Sequence, residues 1–549
     1  MEVFSDTFLE FGAILVIAVI AGLIGRVLKQ PLIVSFIAVG LIVGPYGIDL
    51  LRSGEKIHLL SEMGIAVLLF AVGLKLDIGL IRSTGRVALF AGLGQVLFTS
   101  VFGFLICIWL GFEAVTSIYI AVALTFSSTI IIVKLLSDKK EISSLHGQIS
   151  IGFLIVQDIV VIIAMIVLSA MGTPSETTLT MEIVTVAAKG IGLIILVLLL
   201  MRFVLGWLTS RMARTPELLV LFAMAWAISL AAFSDLLGFS KEVGAFLGGL
   251  SLASTPYREV IAGRLSSVRD FLLLFFFIHL GSQVNVPLLG QQIFPAMILS
   301  AFVLIGNPII VMIILGLMGY RKRTGFLAGL NVAQISEFSL ILAALGLSLG
   351  QIDEKTLGLI TLVGLITIGI STYLILYSHQ LYEKVSGALD IFEKKIPAME
   401  VDDKGLSGSK FDVIIFGLGM YGNNIAKSLE KGGFNVFGVD FDPRALKRWK
   451  KKGRAGQYGD ADDPDLHEIL PMDVTCVISS LDDKSLNLAL IKYLKHAGYE
   501  GKIAVTSYTG RTAKELELAG ADLILLPFAD AADSIPLKLK SLKKQNPEP

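Results

Sequence analysis

Residues 8–380 return again and again to apolar runs of the length that crosses the roughly 30 Å hydrocarbon core of a bilayer. This pattern, more than any motif, limits what the chain can fold into. Across the 549 residues, 54% are hydrophobic and the mean hydropathy is +0.77, an average that a soluble chain of this size does not reach. The runs read as about thirteen helical spans, at approximately 8–28, 32–44, 61–77, 86–110, 114–136, 147–170, 182–206, 216–236, 242–255, 267–283, 292–317, 323–349 and 355–380. The first is flanked by Glu2, Asp6 and Glu10 instead of a basic stretch, so it is expected to remain as a helix and not to be a cleaved leader. Two cysteines, Cys107 and Cys476, build neither a disulfide framework nor a thiolate zinc site. The formal net charge is zero and gives no reason to expect a nucleic-acid partner.

Alternate connections carry the basic residues: Arg26 and Lys29; Arg82 and Arg86; Lys139 and Lys140; Arg202, Arg211 and Arg214; Arg258, Arg264 and Arg269; Arg321, Lys322 and Arg323. By the positive-inside rule these face the cytoplasm, which places the N-terminus outside and the C-terminus inside the plasma (inner) membrane of a prokaryote. Lys189 stands near the outer end of its run, where a long side chain can snorkel.

Asp158 lies near the middle of the run 147–170, beside Gln157. An ionised carboxylate at that depth costs roughly 2.5–3.5 kcal/mol, so it must face a polar cavity, find partners or hold a proton. An acid in this position can bind a cation and a proton in alternation. Two other runs are interrupted by polar residues at mid-depth: Thr125-Phe126-Ser127-Ser128-Thr129 and Asn331-Val332-Ala333-Gln334-Ile335-Ser336-Glu337. Paired interruptions in two halves of a membrane domain point to inverted repeats with two broken helices crossing at a midplane site. The expected ion and proton site is Asp158 with Gln157, Thr125, Ser127, Ser128, Thr129, Asn331 and Glu337. Asp158 would bind the monovalent cation, and the Thr125–Thr129 carbonyls and hydroxyls would complete its shell.

A mixed polar linker, 381–410, leads to a segment of soluble character, 411–549. There the strand pattern of residues 411–416 runs into Gly417-Leu418-Gly419-Met420-Tyr421-Gly422, a helical stretch follows, and a second strand ends at Asp440. This is the context that a dinucleotide fingerprint requires. Gly417 permits the tight turn, Gly419 lets backbone approach phosphate, Gly422 packs helix on strand, and the helix N-terminus attracts the anion. Asp440 would accept from ribose hydroxyls, which favours an adenine nucleotide (AMP, ATP or NAD(H)) over NADP. Gly459-Asp460 closes a third strand, with further strands at 474–479, 503–507 and 521–525. No substrate-binding stretch of a dehydrogenase follows, so enzymatic hydride transfer is not expected.

The stretches Phe126-Ser127-Ser128-Thr129, Val156-Gln157-Asp158, Val243-Gly244-Ala245-Phe246-Leu247-Gly248-Gly249, Leu274-Phe275-Phe276-Phe277-Ile278 and Ser336-Glu337-Phe338 resemble Kef-type potassium/proton antiporters of the monovalent cation:proton antiporter-2 family. Residues 411–549 resemble the N-lobe of an RCK (TrkA-N-like) domain, through the fingerprint, Val439-Asp440-x-Asp442-Pro443 and Gly459-Asp460-Ala461-x-Asp463-Pro464. The resemblance implies a multi-pass α-helical transporter, 1–380, with a C-terminal Rossmann-like α/β domain. It also implies a homodimer, a scaffold with a moving core, K⁺ or Na⁺ as cargo, and gating by a nucleotide. The chain departs from that pattern at Lys75, Asn307-Pro308 and Ile335-Ser336. A nucleotide-gated channel is the competing class, but no selectivity-filter sequence supports it.

Overall fold

The computed structural model describes residues 7–51, 54–75, 78–171, 189, 192–193, 195–213, 215–237, 239–284, 286–393, 410–461, 463, 470–533 and 535–536. Asp77, Pro464, the start of the seventh span and most of the linker lie outside these, as does the side chain of Lys75. The chain forms two compact units. One comprises Met1–Lys139, Ile149–Ile314 and Gly325–Leu381; the other comprises Lys140–Gln148, Leu315–Thr324 and Tyr382–Pro549.

The first unit is helical. Its elements run α1 (Thr7–Val27), α2 (Leu32–Val43), α3 (Gly54–Lys75), α4 (Ile78–Trp109), α5 (Ala114–Ala123), α6 (Thr129–Asp138) and α7 (Leu145–Met171). After a π-helical turn, Met201–Leu205, come α8 (Gly206–Met212), α9 (Pro216–Leu236), α10 (Lys241–Leu252), α11 (Arg258–Gln283) and α12 (Val286–Ala301). A second π turn, Phe302–Gly306, precedes α13 (Asn307–Leu317), α14 (Lys322–Leu330), α15 (Glu337–Ser348), α16 (Glu354–Leu376) and α17 (Ser378–Val385). Among the described residues, eight helices are long and apolar enough to cross a membrane, with shorter apolar helices between them.

Both expected interruptions are real breaks. The fifth span is α5 and α6, separated by residues 124–128, and the twelfth is α14 and α15, separated by residues 331–336. Each resumes on a serine cap that supplies an acceptor to the orphan amides of a helix start. Ser128 Oγ accepts from Ile131 N–H at 3.2 Å. Ser336 Oγ accepts from Phe338 N–H at 3.1 Å, and Ser339 Oγ faces Ser336 N at 3.3 Å, which closes a capping box.

Within this unit α3 packs on α10 and α11, and α2 on α11, through small residues that bring backbones together. A Cβ on Gly40 would lie 2.2 Å from the Ile278 carbonyl oxygen, and one on Gly281 would lie 2.2 Å from the Ile37 carbonyl oxygen. α4 packs on α5, α15 on α5 and α16, and α12 on α16, and side chains of α7 bond to both breaks, Gln157 to Ser127 and Ser150 to Asn331.

The second unit holds a parallel six-stranded sheet in the order β3-β2-β1-β4-β5-β6. Its strands are β1 (Val413–Phe416), β2 (Val436–Asp440), β3 (Gly456–Tyr458), β4 (Cys476–Ser479), β5 (Lys502–Thr506) and β6 (Leu523–Leu525). The connecting helices are α18 (Met420–Lys431), α19 (Pro443–Lys450), α20 (Lys484–His496) and α21 (Gly510–Ala519). All four residues of β1 are buried, as expected of a central strand covered on both faces. Val413 pairs with Val436 on one side and with Cys476 on the other, so the strand order reverses at β1, where such folds bind ligands.

The reciprocal glycine contact should be intolerant of any side chain. Gly281→Val is expected to cost at least about 1–3 kcal/mol through overpacking. Gly263→Ala, on the same helix with open space around it, should leave stability unchanged or raise it by up to about 1 kcal/mol. Thermal unfolding of the two detergent-solubilised variants distinguishes them.

Candidate ion and nucleotide sites

Asp158 sits mid-way along α7 and is only partly buried. Its Oδ2 accepts from Thr129 Oγ1, the first residue of α6, at 3.1 Å. The carboxylate therefore meets the positive end of a half-helix whose axis starts at the break. Glu337, the first residue of α15, occupies the matching position in the second break and is 1% exposed. Its Oε2 accepts from Ser336 Oγ at 3.3 Å, while Oε1 has no hydrogen-bond partner. Two acids and two helix N-termini thus share one crossing.

The structure redistributes the other expected ligands. The Thr125 carbonyl oxygen accepts from Gln95 Nε2 at 3.1 Å, and its hydroxyl donates to the Ala121 carbonyl at 2.9 Å. Ser127 Oγ donates to the Val332 carbonyl at 3.3 Å, tying the first break to the second. Ser128 serves as a cap. Gln157 Oε1 accepts from Ser127 N–H at 3.0 Å, which fixes the backbone of the break. Asn331 Nδ2 donates to Ser150 Oγ at 2.8 Å, two turns and about 12 Å of helix axis before Asp158. Among the described residues, the hydrogen bond that Asp158 receives from the first break comes from the Thr129 hydroxyl. Gln95 and Thr99 were missed by sequence reasoning. Their signal was a pair of polar residues four apart inside the apolar α4, which reads equally well as helix–helix glue.

The second unit carries the fingerprint in the expected form. Gly417 has φ +84°, and a Cβ there would meet Ser480 Oγ at 2.7 Å. Gly419 is the N-cap of α18, and the space above its Cα is open. A Cβ on Gly422 would lie 1.9 Å from the Gly417 carbonyl oxygen, so helix and turn could not close. Met420 is largely exposed and Tyr421 half-buried at the mouth. Phe416, Gly417, Asp440, Phe441, Gly459 and Asp460 line a cleft over the carboxyl ends of the strands. Asp440 Oδ2 accepts from Leu418 N–H at 2.5 Å and Oδ1 from Asp442 N–H at 2.8 Å. Burial pushes its carboxyl above the usual range, and these two amides draw it part of the way back. Asp440 therefore braces the glycine turn directly, and each oxygen keeps a lone pair free of these two amides.

Asp460 and Asp463, just after β3, are engaged by the basic segment that belongs to the same unit. Arg321 Nη1 donates to Asp463 Oδ2 at 2.9 Å, with both side chains about 6–7% exposed, and Arg323 Nη1 donates to Asp460 Oδ2 at 3.3 Å. Arg321 also lies 3.7 Å from Glu393, and Lys322 Nζ donates to Asp390 at 2.6 Å.

Residues 14–376 match the sodium/hydrogen exchanger transmembrane family, and residues 413–527 match the TrkA-N domain. The chain is 29% identical over 367 residues to the iron transporter MagA of Paramagnetospirillum magneticum, covering 66% of this chain and 84% of that protein. It is 27% identical over 499 residues to the putative K(+) efflux antiporter KefB of Alkalimonas amylolytica, covering 90% and 75%. In fold it is similar to the sodium proton antiporter MjNhaP1 of Methanocaldococcus jannaschii, with TM-score 0.51 and 16% identity, over 68% of this chain and 99% of that one.

The buried Arg321–Asp463 pair yields a stability test. Arg321→Ala or Asp463→Ala alone should cost about 1.5–3 kcal/mol, because each removes a charge-assisted hydrogen bond between two buried side chains. The double variant should recover part of that loss in a double-mutant cycle read by thermal unfolding.

Proposed function

The chain belongs to the sodium/hydrogen exchanger family, and on that premise we propose that it is a nucleotide-regulated antiporter exchanging a monovalent cation, K⁺ in preference to Na⁺, for a proton. The observation that carries this reading is Asp158, hydrogen-bonded to the first residue of a half-helix where two broken helices cross. As a carboxylate it attracts a cation to the positive end of α6. Once protonated it loses its charge and presents a donor, so cation and proton compete for one group. Glu337 is the second acid of the same crossing and neutralises the start of α15. The preference for K⁺ rests on the relative that covers most of the chain.

The basic connections favour a cytoplasmic second unit, and in this reading the protein works as a homodimer whose core moves against a scaffold. An adenine nucleotide, AMP, ATP or NAD(H), occupies the cleft at Gly417, Gly419, Gly422, Asp440 and Asp460. It shifts transport by binding the active and inactive arrangements unequally. Couplings of this kind run at about 1–3 kcal/mol, or roughly 5–150-fold.

In proteoliposomes, Asp158→Asn should abolish cation-driven proton movement while the protein stays folded; exchange at the normal rate would remove Asp158 from the mechanism. Gly419→Asp sets a side chain and a negative charge against the phosphates. It should eliminate nucleotide binding and nucleotide sensitivity together, and regulation that survives lost binding would reduce the domain to a scaffold. With a single exchanging acid, one cation moves per proton. The rate should then be indifferent to an imposed membrane potential, and a strong response to voltage would rule out that stoichiometry.

A further inference from the structure

Behind Asp158 runs a closed ring of neutral hydrogen bonds that sequence reasoning did not anticipate. Ser127 N–H donates to Gln157 Oε1 at 3.0 Å, and Gln157 Nε2 donates to Gln95 Oε1 at 2.6 Å. Gln95 Nε2 donates to Thr99 Oγ1 at 3.0 Å and to the Thr125 carbonyl at 3.1 Å. Thr99 Oγ1 donates to Asn307 Oδ1 at 2.6 Å, and Asn307 Nδ2 donates to the Val332 carbonyl at 3.3 Å. Ser127 Oγ donates to that same carbonyl at 3.3 Å and closes the circuit. Every residue in it is at most 1% exposed.

The ring admits one arrangement of its amides. A backbone N–H can only donate, so Ser127 fixes the Gln157 oxygen toward itself and the Gln157 nitrogen toward Gln95. Backbone carbonyls can only accept, so Thr125 and Val332 fix the nitrogens of Gln95 and Asn307. The Thr99 hydroxyl, accepting from Gln95, must then donate to Asn307. Turning any one amide over would set donor against donor or acceptor against acceptor, out of reach of water. The ring thereby fastens the first break, Thr125 and Ser127, to the second, Val332, through α4, α7 and α13. Two and five residues further on stand Thr129, which holds Asp158, and Glu337. No member carries a charge, so the ring sets geometry without adding a titrating group.

We propose that Gln95, Thr99 and Asn307 are positioning residues that set the cation affinity of the Asp158 site by holding the two helix breaks in a single register. The inference rests on Asp158 being the exchange site. Thr99→Val keeps the side-chain shape and removes the link to Asn307; Asn307→Leu removes the same link from the other side; Thr99→Ser retains it. In proteoliposomes with K⁺ and, separately, Na⁺, both disrupting variants should raise the cation KM about tenfold, the loss of roughly one buried hydrogen bond, with kcat little changed. Thr99→Ser should keep the KM of the unmodified protein. A purely structural role would lower the melting temperature and the yield while leaving the KM of the folded fraction unaltered, and that outcome overturns the proposal. If the reconstituted yield of either variant is too low for flux, K⁺-dependent thermal stabilisation in detergent gives the same affinity comparison. Exchange that persists in Asp158→Asn would sink the underlying site assignment. An inactive Asp158→Asn beside an ordinary KM in Thr99→Val would sink the ring's role alone.

Discussion

A bilayer offers no water to an unwound backbone, and the membrane unit is organised around that demand. Two helices stop at mid-depth, and every consequence must be met by protein groups. Serine caps satisfy the restarting ends at Ser128 and Ser336. Gln157 takes the Ser127 amide, Thr367 Oγ1 takes the Ile335 amide at 3.3 Å, and Gln95 and Asn307 serve the carbonyls of Thr125 and Val332. The breaks create positive helix ends in the middle of the membrane, and the acids Asp158 and Glu337 stand at those ends. The placement of the two acids and backbone satisfaction are thus aspects of one construction.

The breaks and Asp158 were legible in the sequence because polar residues are conspicuous in apolar runs. The strand positions and the fingerprint glycines were legible because strand, turn and helix each leave a local pattern. The hydrogen-bonded circuit was not, because it depends on which faces of α4, α7 and α13 meet. Gln95, Thr99 and Asn307 are separated from one another by up to 212 positions in sequence. Asn307 showed only as a departure from a family pattern. In the structure it follows a π turn, whose extra residue rotates the next helix face, and such turns have no reliable sequence signature.

The basic residues near 321–323 illustrate a different limit. Read along the chain, they mark a cytoplasmic connection, a statement about topology alone. In three dimensions Arg321 and Arg323 are buried partners of Asp463 and Asp460, acids that the sequence reading had assigned to the nucleotide domain. One cluster of charge satisfies an insertion rule and a packing requirement together, and nothing local separates these roles.

The division of the chain also limits how it can be cut. The two units exchange the chain at five points, 139/140, 148/149, 314/315, 324/325 and 381/382, instead of at a single hinge. The first turn of α7, the helix of Asp158, belongs to the second unit, and so does the first turn of α14, which leads into the second break. A cut at residue 381 would therefore not separate the two units, because residues 140–148 and 315–324 would stay on the helical piece while belonging to the other body.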